Sequence, residues 1–458
     1  MNVLRDEEVI EIQHRFGYRL VRHPAQATAL AFAVTIFLGA VLLSLPVSRS
    51  GDGSAPFLTA LFTSTSAVCV TGLVTVDTGT YWSTFGQVVI LALIQVGGFG
   101  IMTLASLLGL LVARRLGLRS RITAAAETKS LGIGEIRSVL VGVARITLLF
   151  EAIVALLLTT RFASEYDESL SNAAYLGVFH AISAFNNAGF GLYADSLMSF
   201  VNDPLICVPI ATAVIFGGLG FPAVLELRRH LMPRVWSLHT KLTVGTTLLL
   251  LVLGTAYTLL GEWSNPATLA PMSLSEKIHA GFFHSAMTRT AGFNSLDISA
   301  MNEGTWFGTV ILMFIGGGSA GTAGGIKVTT FIVLFFVILA EVRGDKDTNA
   351  FDRRIDPRAQ RQAQSVALLG VGAVVAGTLT LMQTHNFSLG QALFEATSAF
   401  GTVGLSTGIT PDLSAAGQIV VIALMFLGRL GPITLVSALA LRQQQQRYRL
   451  PEGRPIIG

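Results

Sequence analysis

Cysteine is scarce, with only Cys69 and Cys207 among 458 residues. That excludes a disulfide scaffold and a four-cysteine zinc site. Charge is scarce as well. Asp, Glu, Lys and Arg make up 13% of the chain, against about 25% in an ordinary globular protein. A disordered chain, a coiled coil and most soluble enzymes are thereby excluded. The eight histidines show no metal-ligand spacing, and neither an HExxH segment nor a conspicuous nucleophile–base set occurs. No metal site, cofactor or enzymatic centre is therefore expected. What abounds is apolar residues, 52%, and glycine, 47 in number, with a mean hydropathy of +0.63. Length alone suggests about three soluble domains. The composition instead describes a polytopic membrane protein rich in close backbone contacts.

A transmembrane helix needs about 20 mostly apolar residues. Eight stretches qualify: 25–46, 82–113, 138–160, 204–227, 240–260, 306–342, 363–383 and 416–441. No cleavable signal peptide is evident, so the first run is expected to be a true span. If eight spans alternate, 24 of the 31 lysines and arginines fall on one side, in the two tails and the 114–137, 228–241 and 343–361 connections. The other side carries four, Arg49, Arg161, Lys277 and Arg289, while Arg145, Lys327 and Arg429 lie within spans. The positive side faces the cytoplasm, so both termini are expected there, in a plasma membrane. The basic connections read as topology signals with some affinity for anionic lipid.

The connections on the other side each contain an apolar segment too short to cross: 56–69, 173–186, 276–289 and 388–401. Aligned, they read FTSTSAVCVTGL (62–73), FHAISAFNNAGF (179–190), FFHSAMTRTAGF (282–293) and FEATSAFGTVGL (394–405). Phenylalanine precedes a shared glycine by ten residues every time. Ser66, Ser183 and Ser398 share a register, with Ala286 in the third segment. About 25 residues later comes a second shared block: GGFG at 97–100, GGLG at 217–220, GGGS at 316–319 and GRLG at 428–431. Two blocks in fixed order, four times, define a tandem repeat of span, half-helix with glycine loop, and span. The expected division is a tail at 1–23, repeats at 24–125, 126–235, 236–350 and 351–446, and a tail at 447–458.

The expected fold is thus an all-α membrane protein, with eight transmembrane helices and four re-entrant half-helices around a pseudo-fourfold pore. Non-helical backbone at membrane depth is tolerated only where protein buries it or where it lines water. Four such loops converging on an axis can replace a cation's hydration shell with carbonyls, and glycine lets them turn inward. The half-helix C-termini favour a cation there. The filter residues are Val70, Thr71 and Gly72; Asn187, Ala188 and Gly189; Thr290, Ala291 and Gly292; and Thr402, Val403 and Gly404. None is charged, which suits a monovalent cation better than calcium or magnesium.

These motifs resemble the Trk/Ktr/HKT potassium transporters from about residue 24 to 442. With eight spans the chain looks most like the Ktr-type bacterial membrane subunit. The resemblance implies potassium uptake, often sodium-dependent, with sodium as a coupling ion. It also implies a homodimer with one pore per protomer and a cytoplasmic nucleotide-binding ring protein as regulator. No nucleic-acid partner is expected. The loops share little beyond glycine, unlike four identical TVGYG-type loops, so sodium selectivity stays open. A secondary transporter of another small solute is the other alternative, although that class usually shows a twofold inverted repeat.

Intramembrane charges are functional candidates. Arg429 takes the place of Gly98, Gly218 and Gly317 in the second block. If those glycines line the axis, Arg429 projects into the pore as a barrier; the alternative is an arginine paired with a carboxylate. Six of the ten residues in 316–325 are glycine, too many for a helix. Gly316, Gly317, Gly318, Gly321, Gly324 and Gly325 are expected to form an intramembrane loop with few contacts, closed by Lys327. The family resemblance implies that this loop is a gate. Glu151 is expected to pair with a cation such as Lys327 or Arg429, and Arg289 to stabilise loop carbonyls.

Overall fold

The computed structural model of the protein describes residues 24–114, 133–230 and 232–431. Both tails, most of the basic 114–137 connection and the end of the eighth expected span lie outside the described residues.

The helices fall into four groups. α1 (Pro24–Leu43), α2 (Phe57–Val68) and α3 (Thr84–Arg114) form the first. α4 (Ile133–Glu165), α5 (Leu170–Phe185) and α6 (Pro204–Leu219) with α7 (Phe221–Arg229) form the second. α8 (Leu238–Glu262), α9 (Leu274–Met287) and α10 (Glu303–Phe314) with α11 (Val328–Arg343) form the third. α12 (Pro357–Thr384), α13 (Leu389–Gly401) and α14 (Ala415–Leu430) form the fourth. Among the described residues a small hairpin, Asn349–Ala350 with Arg353–Arg354, interrupts this helical chain. The protein is an all-α, multi-pass membrane protein.

The first helix of each group is the plain span. The apolar stretches Gln26–Leu43, Leu140–Glu165, Leu238–Glu262 and Pro357–Thr384 are each 18 residues or longer, about 27 Å or more at 1.5 Å per residue. Their large apolar side chains face outward; Leu148, Leu156, Val252 and Leu368 are all exposed. In lipid such a face needs no further burial.

The second spans of the second and third groups are broken. The stretch 204–227 is expected to be one plain span, but the structure breaks it at Gly220, where α6 and α7 meet at 103°. Gly220 has φ +89°, Pro222 sits in the first turn of α7, and a Cβ on Gly220 would lie 2.3 Å from the Ser319 carbonyl oxygen. Backbone from the third group occupies that space. In the third group the helix stops at Phe314 and resumes at Val328, as the glycine run requires.

The short re-entrant helices are the buried centre. α9 and α13 begin with capping boxes, Ser273 with Glu276 and Ser388 with Gln391, which satisfy the first orphan N–H groups. Toward their C-termini α2 and α13 are closed off: Thr63 to Val70 and Ala396 to Val403 are buried throughout.

Candidate functional site

The loops after α2, α5, α9 and α13 share one conformation. Val70, Asn187, Thr290 and Thr402 are left-handed, with φ of 55°, 60°, 70° and 49°. Thr71, Ala188 and Val403 then return their N–H groups to the carbonyls of Ser66, Ser183 and Ser398 at 2.8, 2.7 and 2.8 Å. This is the Schellman closure of a helix, with a side chain where glycine usually stands. In the third loop the N–H of Ala291 reaches Met287 instead, at 3.0 Å. A β-branched residue in this region is strained, so the surroundings must hold it. The serine register helps: the Ser66 and Ser398 hydroxyls accept the N–H groups of Gly72 and Gly404 at 3.0 and 3.1 Å. Ala286 has no hydroxyl to offer, and the Ser183 hydroxyl is unpartnered.

The four glycines close a ring. A Cβ on Gly72 would lie 2.4 Å from the carbonyl oxygen of Ala188, one on Gly189 2.5 Å from that of Ala291, and one on Gly292 2.3 Å from that of Val403. One on Gly404 would lie 2.2 Å from that of Thr71. The order is therefore first, second, third, fourth and back to first. All four glycines also line one vestibule of about 240 Å³, walled by Asp77, Ser406 and Thr410 among others. The twelve residues expected at the filter are thus brought together.

The second shared block explains itself at the helix ends. Gly97, Gly217 and Gly428 pass the last carbonyls of their own re-entrant helices, at Val68, Phe185 and Phe400. A Cβ there would approach to 2.0, 1.9 and 1.8 Å. The next position does not line an open axis, contrary to expectation. The Cβ direction of Gly98 meets Asn186 Oδ1 at 2.0 Å, and that of Gly218 meets Asn187 Nδ2 at 3.4 Å and Ala323 at 4.0 Å. These places are filled by neighbouring side chains.

The loop at 315–327 runs on the side of the ring away from the vestibule, against the residues preceding the glycines. It is not sparsely held, as its glycine content suggests. Gly318 and Thr322 donate their N–H groups to the carbonyls of Gly218 and Gly217 at 2.7 and 3.1 Å, and Gly316 donates to Ile326 at 2.8 Å. Cβ atoms on Gly316, Gly317, Gly318 and Gly324 would meet atoms at 2.1, 2.5, 2.1 and 2.1 Å. Glycine serves close packing here more than looseness. Gly321 packs on Gly218, and Gly325 turns the chain with φ +62°.

Two buried arginines and the half-buried Lys327 hold carbonyls of this one segment. Arg289 donates to Gly316 at 2.7 Å. Lys327 donates to Ala323 and Arg429 to Thr322. Arg429 also donates to the Gly97 carbonyl, at 3.2 Å. The ion pairs among the described residues involve none of the three. Thr322 is the telling residue. Its carbonyl accepts from Arg429 of the fourth group, while its hydroxyl donates to Asn187 Oδ1 of the second at 2.8 Å. These groups stand opposite each other in the ring, so Thr322 lies between them, beneath the loops.

Among the described residues Glu151 pairs with no cation. Its carboxylate accepts from Asn186 Nδ2 at 3.0 Å and Gln95 Nε2 at 3.3 Å. Asn186 Nδ2 also donates to Gln95 Oε1 at 2.9 Å. This amide cluster ties the end of α5 to α3 and α4, a role neither Gln95 nor Asn186 announced by sequence. The reason is geometric: Lys327 and Arg429 are already spent on the loop. Cys69 and Cys207 are buried and free.

The arrangement defines a class: a multi-pass membrane protein in which four similar units close a narrow ring of backbone at membrane depth. The chain belongs to the family described as "TrkH: Cation transport protein", which matches residues 18–449. It is 42% identical to the Ktr system potassium uptake protein B of Bacillus subtilis, over 95% of this chain and 97% of that one. Identity is 37% to the Vibrio alginolyticus protein of the same name, over 94% of each chain. It is 34% to the potassium/sodium uptake protein NtpJ of Enterococcus hirae, over 95% and 97%. In fold, the potassium transporter TrkH of Vibrio parahaemolyticus superposes with a TM-score of 0.69, covering 90% of this chain and 84% of that one at 18% identity.

Proposed function

We propose that this protein carries potassium into the cell through a gated pore whose selectivity filter is the ring around Gly72, Gly189, Gly292 and Gly404. The observation that carries this reading is the cyclic contact of those four glycines with neighbouring carbonyls. Uncharged loops of this kind present carbonyl dipoles to a dehydrated monovalent cation. The relatives' names supply the ion: two are named for potassium uptake and one for potassium and sodium. The intramembrane loop, clamped by Arg289, Lys327 and Arg429, is the gate. Three positive charges beneath a cation filter oppose cation passage until they move.

The vestibule faces outward and both termini face the cytoplasm of a plasma membrane, on the weight of the lysine and arginine distribution. The functional unit is a homodimer regulated by a cytoplasmic nucleotide-binding ring protein, and sodium is a coupling ion. The test is rubidium uptake into proteoliposomes, with and without sodium and under an imposed voltage. Voltage-driven uptake that potassium competes better than sodium is the expected result. Equal competition by sodium would favour a sodium-conducting translocator, and no voltage response would overturn the pore.

A further inference from the structure

Asn187 belongs to two structures at once. Its backbone is the left-handed residue of the second loop, with φ +60°. Its side chain leaves the ring. Oδ1 accepts the Thr322 hydroxyl at 2.8 Å, and Nδ2 donates to the Arg289 carbonyl in the third loop at 3.4 Å. The amide lies on the glycine surface of α6, where a Cβ on Gly217 would stand 2.9 Å from Oδ1. Asn187 and Thr322 are both fully buried.

The three equivalent residues behave differently. Val70 has no polar side chain. The Thr290 and Thr402 hydroxyls have no hydrogen-bond partner. Thr402 meets the intramembrane loop by packing alone, its Oγ1 lying 2.1 Å from where a Gly324 Cβ would stand. Among the four, only Asn187 forms a side-chain hydrogen bond to the segment that blocks the passage.

We propose that Asn187 is a positioning residue through which the seated intramembrane loop holds the filter in its potassium-preferring shape. The proposal rests on the reading of the ring as filter and the loop as gate. With the loop seated, the Thr322 hydroxyl and the Arg289 carbonyl hold both ends of the amide. The amide in turn holds a left-handed residue one step from the Ala188 carbonyl that abuts Gly72. When the loop withdraws, Oδ1 loses its donor. A buried acceptor without a partner is costly, so the amide reorients and the second loop relaxes. Ion preference is then a property of the gate's position as well as of the loops.

Thr322→Val removes the hydroxyl and keeps both the shape and the backbone carbonyl that Arg429 uses. In proteoliposomes, the potassium-over-sodium ratio of apparent affinities, read by competition with rubidium, is expected to fall about 3- to 10-fold, as for one lost hydrogen bond. Thr322→Ser, which returns the hydroxyl, should restore the ratio. Asn187→Ala, which also loses the bond to the Arg289 carbonyl, should show at least that loss, and the double variant should lose no more than Asn187→Ala alone, because Thr322→Val then has no bond left to remove. The Val and Ser variants decide the question even if Asn187→Ala does not fold. Wild-type selectivity in Thr322→Val overturns the proposal. If Arg429→Ala still raises the rate in that case, the gate reading survives on its own. If Arg429→Ala leaves the rate unchanged or lower, the gate reading fails as well.

Discussion

Gly404 lies against Thr71: a Cβ on the glycine would come 2.2 Å from the threonine's carbonyl oxygen. The fourth loop is thereby locked to the first, more than 300 residues earlier in the chain, and the ring closes without a gap.

That contact puts a Cβ at any of the four glycines against a neighbouring carbonyl. Gly404 and Gly292 have φ of +95° and +73°, where an ordinary residue is strained by about 1–3 kcal/mol. Serine at either place must also push the neighbouring carbonyl aside. Gly404→Ser and Gly292→Ser are expected to fold but to lose about tenfold or more in rubidium affinity or in selectivity over sodium. Wild-type values for both in both variants would remove the filter assignment.

Arg429 combines a charge with two hydrogen bonds that span from Thr322 to Gly97. A full charge about 4 Å from a passing cation costs about 4 kcal/mol at an effective dielectric near 20, nearly a thousandfold in rate. Its carbonyl partners offset part of that charge, so Arg429→Ala should raise the maximal rubidium rate about 10- to 100-fold. Arg429→Lys, which keeps the charge but loses the fork, should fall between. Slower transport by a folded Arg429→Ala would make the residue a structural tie. Gly98→Ala is not a neutral comparison, since its Cβ would strike Asn186 Oδ1.

Among the described residues Glu151 accepts from two amides and meets no cation. Glu151→Leu leaves those buried donors short of an acceptor and should destabilise by about 2–3 kcal/mol. Glu151→Gln keeps one acceptor and should cost about 1 kcal/mol. Thermal unfolding in detergent checks both. Unchanged stability with lost transport would move Glu151 from scaffold to ion binding.

The proposed regulation by a cytoplasmic nucleotide-binding ring protein has its own test. The connections on the basic side are too short to hold a nucleotide-binding unit. Deleting every cytoplasmic nucleotide-binding ring protein from the host should therefore change rubidium uptake by this chain in whole cells. Unaltered uptake would count against such a partner.

The re-entrant helices and the eight-span plan were legible because their signals are local. A run of apolar residues, a serine cap and a glycine ten residues after a phenylalanine can be counted along the chain. The break at Gly220 was missed, because the hydropathy of 204–227 conceals it, although a glycine followed by Phe221 and Pro222 is a local signal for it. The glycine run at 316–325 announced a loop, but its composition suggested slackness where the structure shows close packing.

By itself, then, the sequence determined the repeat, the number of loops and the positive φ of the four shared glycines, but not the left-handed Val70, Asn187, Thr290 and Thr402 two residues before them. The tertiary structure decided the order of closure, the neighbours of each glycine and the partners of the buried charges. Arg429 reaches Thr322 across 107 residues of chain and Gly97 across 332. Glu151 could as readily have met a cation as an amide on hydropathy alone. The difference is physical. Helix and turn preferences act over a few residues. A buried charge takes whichever partner the packing of distant segments brings within hydrogen-bonding distance.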